Sequence, residues 1–151
     1  LWLNQKVADT VTLSGAIERR INDSGADETR LIQQMSTRHG ILRTRLRGEQ
    51  RLVANADRMG LRLRPRLGLS DPLQQDGPWS LKGDAELFLT LRSTSVGGDD
   101  GLTGLRTQLG VGYDVSDRLS LSLAYLRQQD IAPGRPDRVG HAPIIGIEFG
   151  F

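Results

Sequence analysis

The stretch Leu42-Arg43-Thr44-Arg45-Leu46-Arg47-Gly48-Glu49-Gln50-Arg51-Leu52, followed by Leu61-Arg62-Leu63-Arg64-Pro65-Arg66-Leu67, carries a charge at nearly every second position. The residues between the charges are mostly leucine. A repeat of two marks β-strand, because successive side chains leave a strand on opposite faces. Each strand therefore has one greasy face and one arginine-rich face. The greasy face can be buried in a soluble core, or it can face lipid while the charges line an interior.

The same alternation continues on both sides. Residues 79–92 set Trp79, Leu81, Ala85, Leu87, Leu89 and Leu91 against Ser80, Lys82, Asp84, Glu86 and Arg92. Residues 105–115 set Leu105, Leu109, Val111, Tyr113 and Val115 against Arg106, Gln108, Gly110, Gly112 and Asp114. A strand follows at 119–126, and the last, 142–151, alternates Pro143, Ile145, Ile147, Phe149 and Phe151 with Ala142, Ile144, Gly146, Glu148 and Gly150. Upstream lie strands at 11–21 and around 30–38, with a ninth at 1–7, and no segment reads as helix. Tight connections at 7–10, 39–40 and 114–117 roughly alternate with Gly-, Asp- and Pro-rich ones at 22–28, 93–101 and 129–141. Outer-membrane barrels alternate short and long connections in this way, although 70–78 is long where a short turn is expected. Pro65 has no N–H for a ladder, which predicts a bulge in its strand.

A length of 151 residues suits one domain, and 18 glycines suit a turn-rich β protein. The absence of cysteine excludes a disulfide framework and any Cys-based zinc site. Net charge is only +2, and all but two of the 20 basic residues are arginine, so the arrangement of charge matters more than its total. No apolar run approaches the ~18–20 residues of a membrane helix. The chain opens Leu1-Trp2-Leu3 without an initiator Met or a signal-like start. The expectation is an N-terminally truncated piece, 1–151, of a longer barrel. Eight or nine strands fall here, and bacterial barrels hold an even number, so about 10–12 are expected in the whole.

The aromatics favour lipid outside. Trp79 starts a strand, Tyr113 ends the next, and Phe149 and Phe151 end the last, on one level as an interfacial girdle requires. Tyr125 is the further interface candidate. The fold class read from the chain is all-β: a single antiparallel up-and-down transmembrane β-barrel.

The terminal set Ile145, Ile147, Phe149 and Phe151 resembles the assembly signal of Gram-negative outer-membrane barrels. Gln33-Gln34, Arg45-Leu46-Arg47-Gly48-Glu49-Gln50-Arg51 and Arg62-Leu63-Arg64-Pro65-Arg66 come first in a telling order. Glu86-Leu87-Phe88, Gly110-Val111-Gly112-Tyr113 and Ala124-Tyr125-Leu126-Arg127-Gln128 follow. From roughly residue 30 to 151 this order resembles the outer-membrane barrel family catalogued as domain of unknown function 2490. The resemblance implies the outer membrane of a Gram-negative bacterium, with membrane lipid and the barrel-assembly machinery as partners. It implies no activity.

The charged face is the candidate site. Arg20, Arg43, Arg45, Arg47, Arg51, Arg62, Arg64, Arg66, Lys82, Arg92 and Arg106 would face a lumen together with Glu18, Glu49, Asp84, Glu86 and Glu148. Arginine suits such pairing because its planar fork donates bidentately and keeps its charge. The network is either a salt-bridged filling of a narrow barrel or a basic lumen that passes or binds anions. His39 and His141 fall at opposite ends of the strands, so no shared metal or catalytic centre is expected. His141 with Ser93 or Ser95 is the conceivable nucleophile pair, without a supporting motif. Asp99 and Asp100 read as solvated turn residues, with divalent-cation or lipopolysaccharide contact the lesser alternative. The glycines at 98–101 and 110–112 precede no helix and make no phosphate loop. No catalytic residue, metal, cofactor or nucleic-acid partner is assigned. Two alternatives stand beside the channel or solute-binding barrel. One is a soluble β protein that binds nucleic acid or another polyanion through its arginines, although acids are mixed in and few aromatics are placed to stack on bases. The other is an outer-membrane lipid-modifying enzyme dependent on His141.

Overall fold

Alternation of this kind yields strands along the whole chain. The computed structural model describes residues 1–23, 25–74 and 77–150. It contains β1 (Trp2–Ala8), β2 (Val11–Arg20), β3 (Glu28–His39), β4 (Leu42–Val53), β5 (Gly60–Pro72), β6 (Trp79–Arg92), β7 (Gly101–Ser116), β8 (Leu119–Asp130) and β9 (Arg138–Phe149). They form one nine-stranded sheet in strict sequence order, every neighbouring pair antiparallel. The N-terminal segment is thus a strand, and β3, β7 and β8 extend past the alternating stretches. Among the described residues β1 and β9 make no contact with each other, so the sheet keeps two edges. Phe151 lies outside the described residues.

The hairpin connections sort by end. Asp9-Thr10, Gly40-Ile41 and Asp117-Arg118 are tight turns at one end, with Gly40 in the left-handed region at φ 57°. Residues 21–27, 54–59, 93–100 and 131–137 make longer loops at the other. The 73–78 connection is the exception at the tight end.

Burial is inverted relative to a soluble sheet. Glu49 and Glu86 are each 2% exposed, whereas Leu67 is 55% and Ile145 79% exposed. A single layer can bury one of its own faces only by curling around it, and here it curls around the charges. Arg45 on β4 reaches Glu86 on β6, past β5. Arg47 on β4 lies 5.2 Å over the Trp2 ring on β1, past two strands. The convex face is a belt that includes Leu13, Met35, Leu46, Leu81, Leu109, Leu123 and Ile147, all exposed.

Pro65 does not make the bulge predicted for it. The β4–β5 register passes through Leu46↔Pro65 unbroken, and the β5–β6 ladder skips Arg64 and Pro65 without shifting. The missing N–H removes a rung and leaves the alignment intact. Register shifts occur instead where Leu61 and Arg62 meet β6, at Phe88 and Leu89 where β6 meets β7, and beside two tight turns, between Lys6 and Ala8 and between Asp114 and Ser116.

Candidate functional site

The concave face builds its network from facing arginines. Residues directly opposite on antiparallel strands share a face and lie close together. Arg47 faces Arg64, Arg45 faces Arg66, and Arg30 faces Arg51. Like charges so placed repel, and carboxylates interleave them. Glu86 accepts from both nitrogens of the Arg64 fork, Nε and Nη2, each at 3.0 Å. It also accepts from Arg45, and Arg106 approaches to 4.0 Å. Glu49 takes Arg64 Nη1 at 2.6 Å and draws Arg47 and Arg62 to 3.9 and 4.0 Å. Glu28 bridges Arg30, at 2.5 Å, and Arg51. Asp84 pairs with Arg66 at 2.6 Å.

Phe88 lies in the middle of this cluster. The guanidinium carbons of Arg64, Arg106 and Arg62 sit 4.4, 5.3 and 5.7 Å from its ring centre. An aromatic face attracts cations through its quadrupole, so the ring anchors three arginines that would otherwise spread apart. Two register shifts follow this residue along β6, one between Phe88 and Leu89 and one between Thr90 and Arg92. Gln34 and Gln128 finish the shell, each accepting a two-nitrogen fork, from Arg47 and Arg106 respectively.

Most sequence-predicted lumen residues meet here, and some do not. Arg92 instead donates to the Met59 carbonyl and ties down the 54–59 loop. Arg20 and Glu18 stand at the long-loop end beside the Glu28–Arg30 pair, lining a common cavity. Glu148 and Lys82 border a smaller cavity of about 210 Å³ near the tight turns. Arg43 lines a larger one of about 530 Å³ at that end. Glu28, Arg30, Phe88 and Trp2 were not anticipated. Glu28 follows a Gly-containing connection and reads as loop, and Phe88 is the one aromatic in phase with the charged residues of β6. That phase was its available signal.

Trp79 and Tyr113 are directly paired, with rings 4.7 Å apart, and Phe149 lies opposite Leu119 at the same end of the sheet. Tyr125 belongs to a different level. It faces Pro143, and its hydroxyl hydrogen-bonds His141 Nδ1 at 2.8 Å. Ile145 and Ile147 share the convex face of β9 with Phe149. Ser93 Oγ donates to the Ser95 carbonyl, while His141 is engaged by Tyr125, so the Ser93–His141 combination is not assembled. Asp99 pairs with Arg135 at 2.6 Å and Asp100 accepts from the Ser93 amide, which makes both loop fasteners. No group of three or more metal-ligating side chains occurs among the described residues.

A curved antiparallel meander with its charges on the concave face defines the class of protein. The family described as "Protein of unknown function (DUF2490)" matches residues 1–139, and the chain belongs to that family. The match starts at the first residue rather than near residue 30, and it ends before Ile145, Ile147 and Phe149. The family assignment therefore extends upstream of residue 30, and the match does not reach the terminal strand's Ile145, Ile147 and Phe149. No curated protein and no solved structure matches the chain.

Proposed function

We propose that this chain forms the wall of an integral outer-membrane β-barrel in a Gram-negative bacterium. The convex aliphatic face lies against lipid, and the concave network lines a narrow lumen that passes or holds anions. The observation that carries this reading is the inverted burial: carboxylates and guanidiniums inside, leucine and isoleucine outside. A large exposed apolar surface needs a partner, and a belt spread over all nine strands fits lipid better than a single protein partner. The strands β2 to β9 hold 10 to 16 residues, against the ~9–11 that cross a bilayer at a tilt. Sorting of the connections by length supports tight turns in the periplasm and longer loops outside. Further strands close the barrel at about 10–12, because single-chain bacterial barrels hold an even number. Ile145, Ile147 and Phe149 are offered to the assembly machinery.

The lumen reading rests on charge. Eight guanidiniums (Arg30, Arg45, Arg47, Arg51, Arg62, Arg64, Arg66, Arg106) share four carboxylates (Glu28, Glu49, Asp84, Glu86). The excess positive charge attracts anions, and the packing around Phe88 narrows the passage. This reading includes no catalytic step. The test is cell fractionation followed by gels of unboiled and boiled full-length protein. A membrane band that migrates faster unboiled is expected, because a closed barrel satisfies its backbone internally and resists SDS. A soluble band without the shift would overturn the membrane reading and make polyanion binding by the arginine face the next assay.

A further inference from the structure

Four pairs of arginines face each other across neighbouring strands on the concave side: Arg30 with Arg51, Arg47 with Arg64, Arg45 with Arg66, and Arg38 with Arg43. The first three are neutralised by the chain itself, through Glu28, through Glu49, and through Glu86 with Asp84. The fourth has no carboxylate within ion-pair distance among the described residues. Like charges directly opposite on a sheet destabilise it, so this pair lacks what its three counterparts have. Both arginines line the cavity of about 530 Å³ at the tight-turn end. Its two acids are spoken for, Asp84 by Arg66 at 2.6 Å and Asp9 by Lys6 at 3.0 Å.

We propose that this cavity binds a small, soluble, phosphate-bearing solute, whose dianionic group bridges Arg38 and Arg43 as Glu28 bridges Arg30 and Arg51. A phosphate offers several acceptor oxygens, and arginine forks match them bidentately. Ser36 and Ser70 supply hydroxyl donors in the wall, and Lys82 supplies a further cation on the far side. Gly68, between Arg43 and Asp84 in the ladder, leaves the floor open. The volume suits a small molecule. The cavity opens on the face opposite the aliphatic belt, which favours a dissolved solute over a lipid headgroup. The Arg64–Glu86–Phe88 cluster lies deeper along the same face, so the solute is held at the mouth. This inference rests on the concave face being a lumen.

The test is calorimetric titration of the detergent-solubilised full-length protein with pyrophosphate at fixed ionic strength, beside R38Q, R43Q, K82Q and R20Q. The expected result is saturable binding weakened by about tenfold or more in R38Q and in R43Q, since each removes a charge-assisted pair. K82Q weakens it less, and R20Q, at the opposite end, leaves it unchanged. The arginines are exposed, and the unboiled mobility of each variant checks its fold. No binding by protein that shows the heat shift overturns this inference and leaves the membrane reading standing. Equal weakening by R20Q and R43Q overturns it as well, because diffuse charge would then explain the binding. Loss of pyrophosphate binding on adding anionic phospholipid to the micelles, with no loss on adding the same amount of zwitterionic phospholipid, assigns the arginines to a lipid headgroup and overturns the soluble solute. Saturable binding by a soluble protein with no heat shift upholds the cavity and overturns the membrane reading.

Discussion

Glu86 holds two arginines by hydrogen bonds and a third at 4.0 Å while only 2% exposed. Removing one partner of a buried pair leaves uncompensated charge and costs roughly 3–5 kcal/mol. Glu86→Gln keeps the shape and loses the charge, so it should lower the unfolding free energy by about that amount, read as a lower urea midpoint in micelles. Lys6→Gln breaks an exposed pair with Asp9 and should leave the midpoint within error. Equal shifts in the two variants would show that the cluster is not a structural unit. At this scale the sequence was partly legible. Alternation put Glu86, Arg45 and Arg64 on one face, because face follows from parity alone. It could not say which acid meets which base, since that depends on strand register. Phe88 shows the limit: an apolar residue in a charged phase has no role until three guanidiniums are seen against it.

Strands β7 and β8 approach closely where glycine allows it. A β-carbon on Gly110 would lie 2.6 Å from both the Leu123 carbonyl oxygen and the Ala124 β-carbon, whereas one on Gly140 would meet nothing within 4 Å. Backbone cannot yield as a flexible side chain can. Gly110→Ala should therefore push β7 from β8 and cost roughly 1–3 kcal/mol as an overpacked contact. Gly140→Ala should be neutral, and denaturation of the unboiled form compares the two directly. A neutral Gly110→Ala would mean that the strands separate at that point without loss. Strand existence and parity were legible because leucine alternation is long and regular. Strand ends were not, since the Thr, Gln and Gly tails of β3, β7 and β8 carry no alternation. The register shifts near Phe88 were invisible as well, because Leu87, Leu89 and Leu91 run straight past them.

Alternation gives a molecule two faces without saying which one meets protein, water or lipid. The structure adds that the described residues form one layer, with the charges enclosed and nothing laid over the leucines. The two tryptophans separate the environments of those faces. Trp79 stands on the convex side against Tyr113, and Trp2 on the concave side under Arg47. Their exposures are similar, 47% and 39%, so a water-borne quencher distinguishes them poorly. A quencher carried on lipid tails can reach one face alone. In bilayers of brominated lipid, the Trp2→Phe variant, which keeps Trp79, should lose much of its emission. Trp79→Phe, which keeps Trp2, should lose little. Equal quenching, or quenching of Trp2 alone, would put lipid on the wrong face and overturn the barrel orientation. Trp79 lies at the tight-turn end, so bromine near the headgroups should quench it more than bromine at the chain ends. That depth dependence is what the proposed interfacial girdle requires of Trp79, and a core tryptophan in a soluble sheet would not show it.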